Sequence, residues 1–195
     1  MTAAPTPSSA ADGGASLTWP VRESFLGYVN RMGGRITIVR PARPATRGFS
    51  FPHVPTAIAP GSSAADGFTA VRGAIRELAF TGAVAFSAHG GTLDFAIADP
   101  VLVFDDQGVL LTVSDSAAPG RGTRAVIAEL DDGSPAHGGG ETVALVPRLT
   151  EDGSALFGGV YPAGETMDPL FVPRRLLAPY CPPSSPSQGR SDGRQ

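Results

Sequence analysis

The chain has 195 residues, of which 42% are hydrophobic, and a formal net charge of −3 at pH 7. That length suits one domain better than two, and no run approaches the roughly 18 unbroken apolar residues of a membrane-spanning helix. The mild acidity excludes a chain-wide basic surface for nucleic acid or anionic lipid.

All 15 basic residues are arginine, which with 25 Gly and 19 Pro points to a GC-rich coding sequence. Cys181 is the one cysteine, so neither an internal disulfide nor a thiolate metal cluster is available. Met1–Ser16 is Ala, Ser, Pro, Gly and Thr with little to bury, and is expected to be disordered. It lacks the basic and apolar regions of a secretory signal, so as written the expected location is the cytoplasm. Pro179–Gln195 reads as a second disordered tail, leaving 17–178 as the domain. With about 160 ordered residues, such a domain buries roughly two-thirds of its unfolded surface, enough for a proper core.

The first predicted element is a helix in "LTWPVRESFLGYVNRMGG", where Trp19, Arg22, Phe25 or Leu26, Val29 and Met32 recur at spacings of three and four. Thr18 suits its N-cap, Pro20 its first turn, and Gly33-Gly34 its end. Tyr28 falls near its C-terminus. Thereafter the chain reads as strands. "RITIV" alternates, and "RGFSFP" puts Phe49 and Phe51 on one side. "LAFTGAVAFSAH" sets Leu78, Phe80, Val84, Phe86 and Ala88 on one face, and small residues ending in His89 on the other. "TLDFAIADP" is followed by a hairpin around "DDQG". "TRAVIAEL", "ETVALVPRL" and "ALFGGVY" complete the set. The expected fold is mainly β: an antiparallel β-sandwich or flattened barrel with one or two short helices.

Reactive residues are few. There are three histidines and no GxSxG, HExxH, Walker A or paired CxxC motif, so no catalytic apparatus is expected. His53 and His137 sit in loop contexts. His89 admits two readings, a solvated residue at a strand end or a group facing a planar ligand beside the small-residue face. Tyr28 is either an amphipathic core-edge residue or a phenolate ligand for ferric iron, if a neighbouring imidazole eases loss of a proton that a phenol ordinarily keeps to about pH 10. Tyr161, between two glycines and a proline, is a turn residue or lines a space cleared for a ligand. Asp99 and Asp168 each precede a proline, a place where aspartate caps a turn.

Three blocks carrying these residues resemble the HtaA-type haem-binding conserved-region domains of Gram-positive haem-uptake proteins. They are "LTWPVRESFLGYV", "GAVAFSAHGGTLDFAIADP" and "LTEDGSALFGGVYPAGETMDPLFV", in the family's order and across nearly the whole ordered region. Two departures are Pro20 after Trp19, where the family generally has glycine, and the absence of an acidic residue after His89. The resemblance implies a non-enzymatic module binding one ferric haem (ferric protoporphyrin IX) for uptake, transfer or buffering. It implies that Tyr28 is the axial iron ligand, that His89 hydrogen-bonds the phenolate oxygen, that Tyr161 lines the pocket, and that Phe171 supplies an apolar wall. Ser24 or Arg22 is a candidate for the propionates. The implied partners are haem itself and other haem carriers or haemoproteins, with no nucleic acid and no membrane span, in a monomer or weak homodimer. The family is typically secreted or cell-surface, at odds with the location read from the N-terminus. The alternative is a β-sandwich that binds protein or glycan and no haem. It is distinguished by Tyr28 and His89 pointing to separate surfaces.

Overall fold

The computed structural model describes residues 15–55, 76–114, 124–131 and 141–178. His137, Cys181, the C-terminal tail and most of the N-terminal segment lie outside these residues. Ser16, assigned to that segment, is the first residue of a strand.

In chain order the elements are β1 (Ser16–Trp19), α1 (Glu23–Arg31), β2 (Arg35–Val39), β3 (Arg43–Ala45), β4 (Gly48–Pro52), β5 (Arg76–Ala79) and β6 (Ala83–Ala88). After a 3-10 turn at His89–Gly91 come β7 (Leu93–Ala98), β8 (Val101–Phe104), β9 (Val109–Ser114), β10 (Arg124–Asp131) and β11 (Thr142–Leu149). The last three are α2 (Glu151–Leu156), β12 (Leu170–Pro173) and α3 (Arg174–Leu177). Nine strands form one sheet in the order β3-β4-β1-β12-β11-β10-β9-β8-β5, and β2-β6-β7 form a second. Every pairing is antiparallel. Neither sheet closes on itself, so the architecture is a sandwich and not a barrel. Among the described residues no helix is long and apolar enough to cross a membrane.

Alternation explains the layers. In β6, Val84, Phe86 and Ala88 are buried while Ala83, Ala85 and Ser87 are half-exposed. In β4, Phe49 and Phe51 point inward, and Phe49 meets Phe86 across the sandwich with ring centroids 6.0 Å apart. The "DDQG" hairpin joins β8 to β9, with the Asp105 carboxylate accepting from the amides of Gln107 and Gly108. This is an aspartate closing its own turn. Arg124 stitches the other end of the large sheet, donating to Thr112 Oγ1 and to the Asp99 and Thr112 carbonyls. Burial lowers its pKa, against the pull of Asp99 and Glu77.

Three expectations change. The first helix begins at Glu23 and not near Thr18. Trp19 fits a spacing of three with Arg22, but it also alternates with Leu17, and β1 buries both between β4 and β12. The long run from Leu78 to Ala88 is divided between the two sheets at Thr81-Gly82, where the Asp99 carboxylate accepts from both residues. "ALFGGVY" is a helix end and turn in place of a strand. Thr150 caps α2 by accepting from Gly153 N, and Gly158 and Gly159 then take positive φ. With α3, the described residues hold three short α-helices beside the strands.

Helix α2 lies close on β10 because Gly153 has no side chain: a Cβ there would fall 2.0 Å from the Ile127 carbonyl oxygen. Gly153→Ala is therefore expected to destabilise the domain by about 2 kcal/mol or more through forced backbone displacement. A thermal melt showing a fall of several degrees checks this.

Candidate functional site

Helix α1 crosses one end of the sandwich on the inner side of the small sheet. Its buried anchor is Phe25, whose ring centroid lies 5.3 Å from Phe86, 5.8 Å from Phe95 and 5.4 Å from Phe157. Full burial of one such side chain stabilises by roughly 1.5–3 kcal/mol. The helix N-terminus has no cap from its own Arg22 side chain. Instead Asp168, 145 residues away, accepts from Glu23 N at 2.9 Å. The Asp168 carbonyl also accepts from Trp19 Nε1, and its amide donates to the Val21 carbonyl. Asp168 thus caps as its Asp-Pro context suggests, but across the fold.

With Phe25 and Val29 buried, Ser24, Gly27, Tyr28 and Arg31 share the outer stripe of α1, as residues three and four apart do. Tyr28 is half-buried against the core. Its Oη lies 2.5 Å from His89 Nε2. His89 reaches it from the end of β6 in a left-handed conformation, φ 52°, followed by Gly90 at 63° and Gly91 at 99°. Histidine tolerates that region better than β-branched residues do, and such outliers mark positions that the surroundings hold against a local cost. The three residues turn the chain away immediately after presenting the imidazole. Helix and strand end approach closely through Gly34, where a Cβ would lie 2.4 Å from the Ser87 carbonyl oxygen.

At the other end of the stripe, Ser24 Oγ lies 3.4 Å from Tyr161 Oη. Tyr161 packs edge-on to Phe25 and Phe157, and the Arg22 guanidinium sits 4.6 Å from its ring centroid. Arg22 is itself held by Glu165 at 2.7 Å and by the Thr166 carbonyl. Two exposed apolar side chains border the stripe, Met32 after its C-terminus and Val160 beside Tyr161. Beyond His89 the surface is indented by a cavity of about 270 Å³, lined in part by Met32, Gly34, Arg35, Ser87 and His89.

The structure thus brings Tyr28, His89 and Tyr161 to one face of one helix. Phe171 is not part of that group. It alternates with the core-facing Leu170 and Val172, so it faces the opposite side of the large sheet, where the Arg47 guanidinium lies 5.4 Å from its ring centroid. The small-residue face of β6 also turns away from α1, since Phe25 contacts the opposite face through Phe86. His53 is half-buried beside Phe80, and burial lowers its pKa. Sequence reasoning missed the Arg22–Glu165 pair and the Asp168 clamp, because nothing local in a single sequence couples residues so far apart.

Gly34→Ala is expected to push α1 off β6. A crystal structure of the variant should show Tyr28 Oη and His89 Nε2 beyond 3.5 Å, with stability lowered by roughly 1–3 kcal/mol.

The family model described as Htaa matches residues 14–172. Three solved structures from Corynebacterium glutamicum are similar in fold. The N-terminal domain of HtaA superposes with a TM-score of 0.59 at 23% identity, covering 82% of this chain and 96% of that one. The C-terminal domain of HtaA gives 0.54 at 22% identity, covering 80% and 93%. The haem-binding protein HtaB gives 0.56 at 20% identity, covering 82% and 91%. No curated protein matches the chain.

Proposed function

Because the chain belongs to the HtaA family, we propose that it binds ferric haem at the outer stripe of α1, with Tyr28 as the axial ligand. The observation that carries this reading is the Tyr28–His89 pair, 2.5 Å apart from two separate elements. Separate surfaces would have favoured a glycan- or protein-binding sandwich.

The donor set suits a porphyrin. Among the described residues no three His, Cys, Asp or Glu side chains converge to hold a bare metal ion. A haem brings four nitrogen donors of its own and needs one strong ligand from the protein, for which a tyrosine suffices. As a hard anionic oxygen, tyrosinate favours the ferric over the ferrous state. Each residue then has a task. Tyr28 presents its oxygen from a helix fixed at its N-terminus by Asp168 and at its middle by Phe25. Once the phenol has lost its proton, His89 donates from Nε2 to the phenolate oxygen, which fixes its orientation and tempers its basicity. Tyr161, held by Arg22 and Ser24, offers a flat wall, and Val160 and Met32 supply apolar surface at the two ends. Nothing in this constellation pairs an acid with a base over an open position, so we assign it to carriage of haem, in uptake, transfer or buffering, and to no turnover.

Hemin titrated into the purified protein should give a tyrosinate-type ferric absorption spectrum. Tyr28→Phe should abolish that spectrum, whereas His89→Ala should keep it and weaken binding by about 10–100-fold, the usual effect of losing a residue that orients a metal ligand. A Tyr28→Phe spectrum identical to the parent removes the ligand assignment.

A further inference from the structure

Tyr161 is carried by a short flap set against the start of α1. Gly158, Gly159 and Gly164 bound it in positive φ, a conformation that glycine takes without steric cost, and a Cβ on Gly159 or Gly164 would meet nothing within 4 Å. Between them Val160, Pro162 and Ala163 are exposed. Among the described residues the backbone of this span makes two hydrogen bonds. Val160 N donates to the Phe157 carbonyl at a long 3.4 Å, and the Pro162 carbonyl accepts from Glu165 N at 3.1 Å. The chain beyond the flap is firmer. Leu149 of β11 accepts from Gly164 N at 2.7 Å and donates to the Glu165 carbonyl at 2.9 Å, and Met167 N donates to the Pro147 carbonyl at 2.8 Å. Glu165 thus stands on sheet-bonded backbone and offers Arg22 a fixed base. Arg22 Nη1 donates to Glu165 Oε1 at 2.7 Å and to the Thr166 carbonyl at 3.0 Å, which leaves the guanidinium 4.6 Å from the Tyr161 ring centroid, within cation–π range. The same ring meets the edges of Phe25 and Phe157 at 6.4 and 6.0 Å, and Ser24 Oγ reaches its hydroxyl only at 3.4 Å. A guanidinium so engaged, its charge already balanced by Glu165, is poorly placed to receive a propionate.

We propose that Arg22, backed by Glu165, is a positioning residue that latches the Tyr161 flap against α1 and thereby sets how fast haem leaves the site. The inference rests on the haem reading above and deepens it: Arg22 acts on the ligand through Tyr161 and not by touching its carboxylates. With the latch made, Tyr161 stays pressed on Phe25 and Phe157 beside the α1 stripe. Without it, the ring swings out on its glycine joints and the site loses one wall, while Tyr28 and His89 keep the contact they make from α1 and the end of β6.

Two measurements test the latch. In the unliganded protein, the ring signals of Tyr161 in an NMR spectrum should move toward those of a free tyrosine in Arg22→Ala and part of the way in Glu165→Gln, with those of Tyr28 unmoved. In the loaded protein, release of hemin to excess apomyoglobin should be about three- to fivefold faster in Arg22→Ala, the scale of a partly exposed cation–π contact, with the tyrosinate spectrum unchanged. Tyr161→Ala should speed release at least as much, and adding Arg22→Ala to it should change nothing further. Hemin dimethyl ester, which lacks the carboxylates, should show the same acceleration in Arg22→Ala. Tyr161 signals unmoved in Arg22→Ala would overturn the latch whatever the chain binds. Losses that multiply in the double variant, or an effect on hemin that the ester does not share, would show Arg22 acting on the ligand directly and overturn the proposal. A parent chain that binds no hemin would overturn the haem reading and the role in release together, and a parent that binds hemin and releases it no faster in Arg22→Ala would overturn this inference alone.

Discussion

Phe25 is the residue on which the arrangement turns. Its ring meets Phe86 of β6, Phe95 of β7, Phe157 after α2 and Tyr161 in the following turn. One side chain therefore ties the helix to both strands of the small sheet that it covers and to the segment that walls the site. Edge-to-face pairs, which three of these four are, are worth about 0.5–1.5 kcal/mol each beyond their buried area. With Phe25 and Val29 facing inward, Tyr28 falls at the edge of the buried face and Ser24 outside it, so the position of the phenol follows from core packing.

Packing alone leaves a helix free to slide or rotate about its anchor. Asp168 removes that freedom at the start of α1 by holding Glu23, Trp19 and Val21 through three separate hydrogen bonds. Gly34 removes it at the end by allowing backbone-to-backbone approach to Ser87. The two constraints are chemically different, one polar and the other steric. Between them the Tyr28 oxygen is held at a fixed place relative to the imidazole that rises from β6.

Much of this was legible from residue pattern. Alternation in "GFSF" and "VAFSA" announced which phenylalanines face inward, and "DDQG" announced its hairpin. Tyr28 and His89 stood out because a chain with three histidines and few reactive groups leaves little else to weigh. Where two periodicities fit the same letters, the reading failed. "LTW" satisfies both a helix and a strand, and pairing with β4 and β12 decided for strand. The split of the Leu78–Ala88 run was invisible because burial alternates without interruption across Thr81-Gly82 while the two halves join different sheets. Phe171 went astray for a similar reason: an aromatic beside a site motif still obeys the period of its own strand.

The site is assembled from three stretches of chain that lie far apart in sequence: α1, the turn after β6, and the turn after α2. None of them can present its side chain usefully until the small sheet, the helix and the α2–β12 segment have all docked. A ligand held by all three has affinity for the finished fold and little for any part of it, so occupancy and folding are thermodynamically linked. At a ligand concentration 100 times the dissociation constant that linkage adds about 2.7 kcal/mol to the stability of the whole domain. A loaded molecule and an empty one then differ in how readily a protease or an unfolding force can open them.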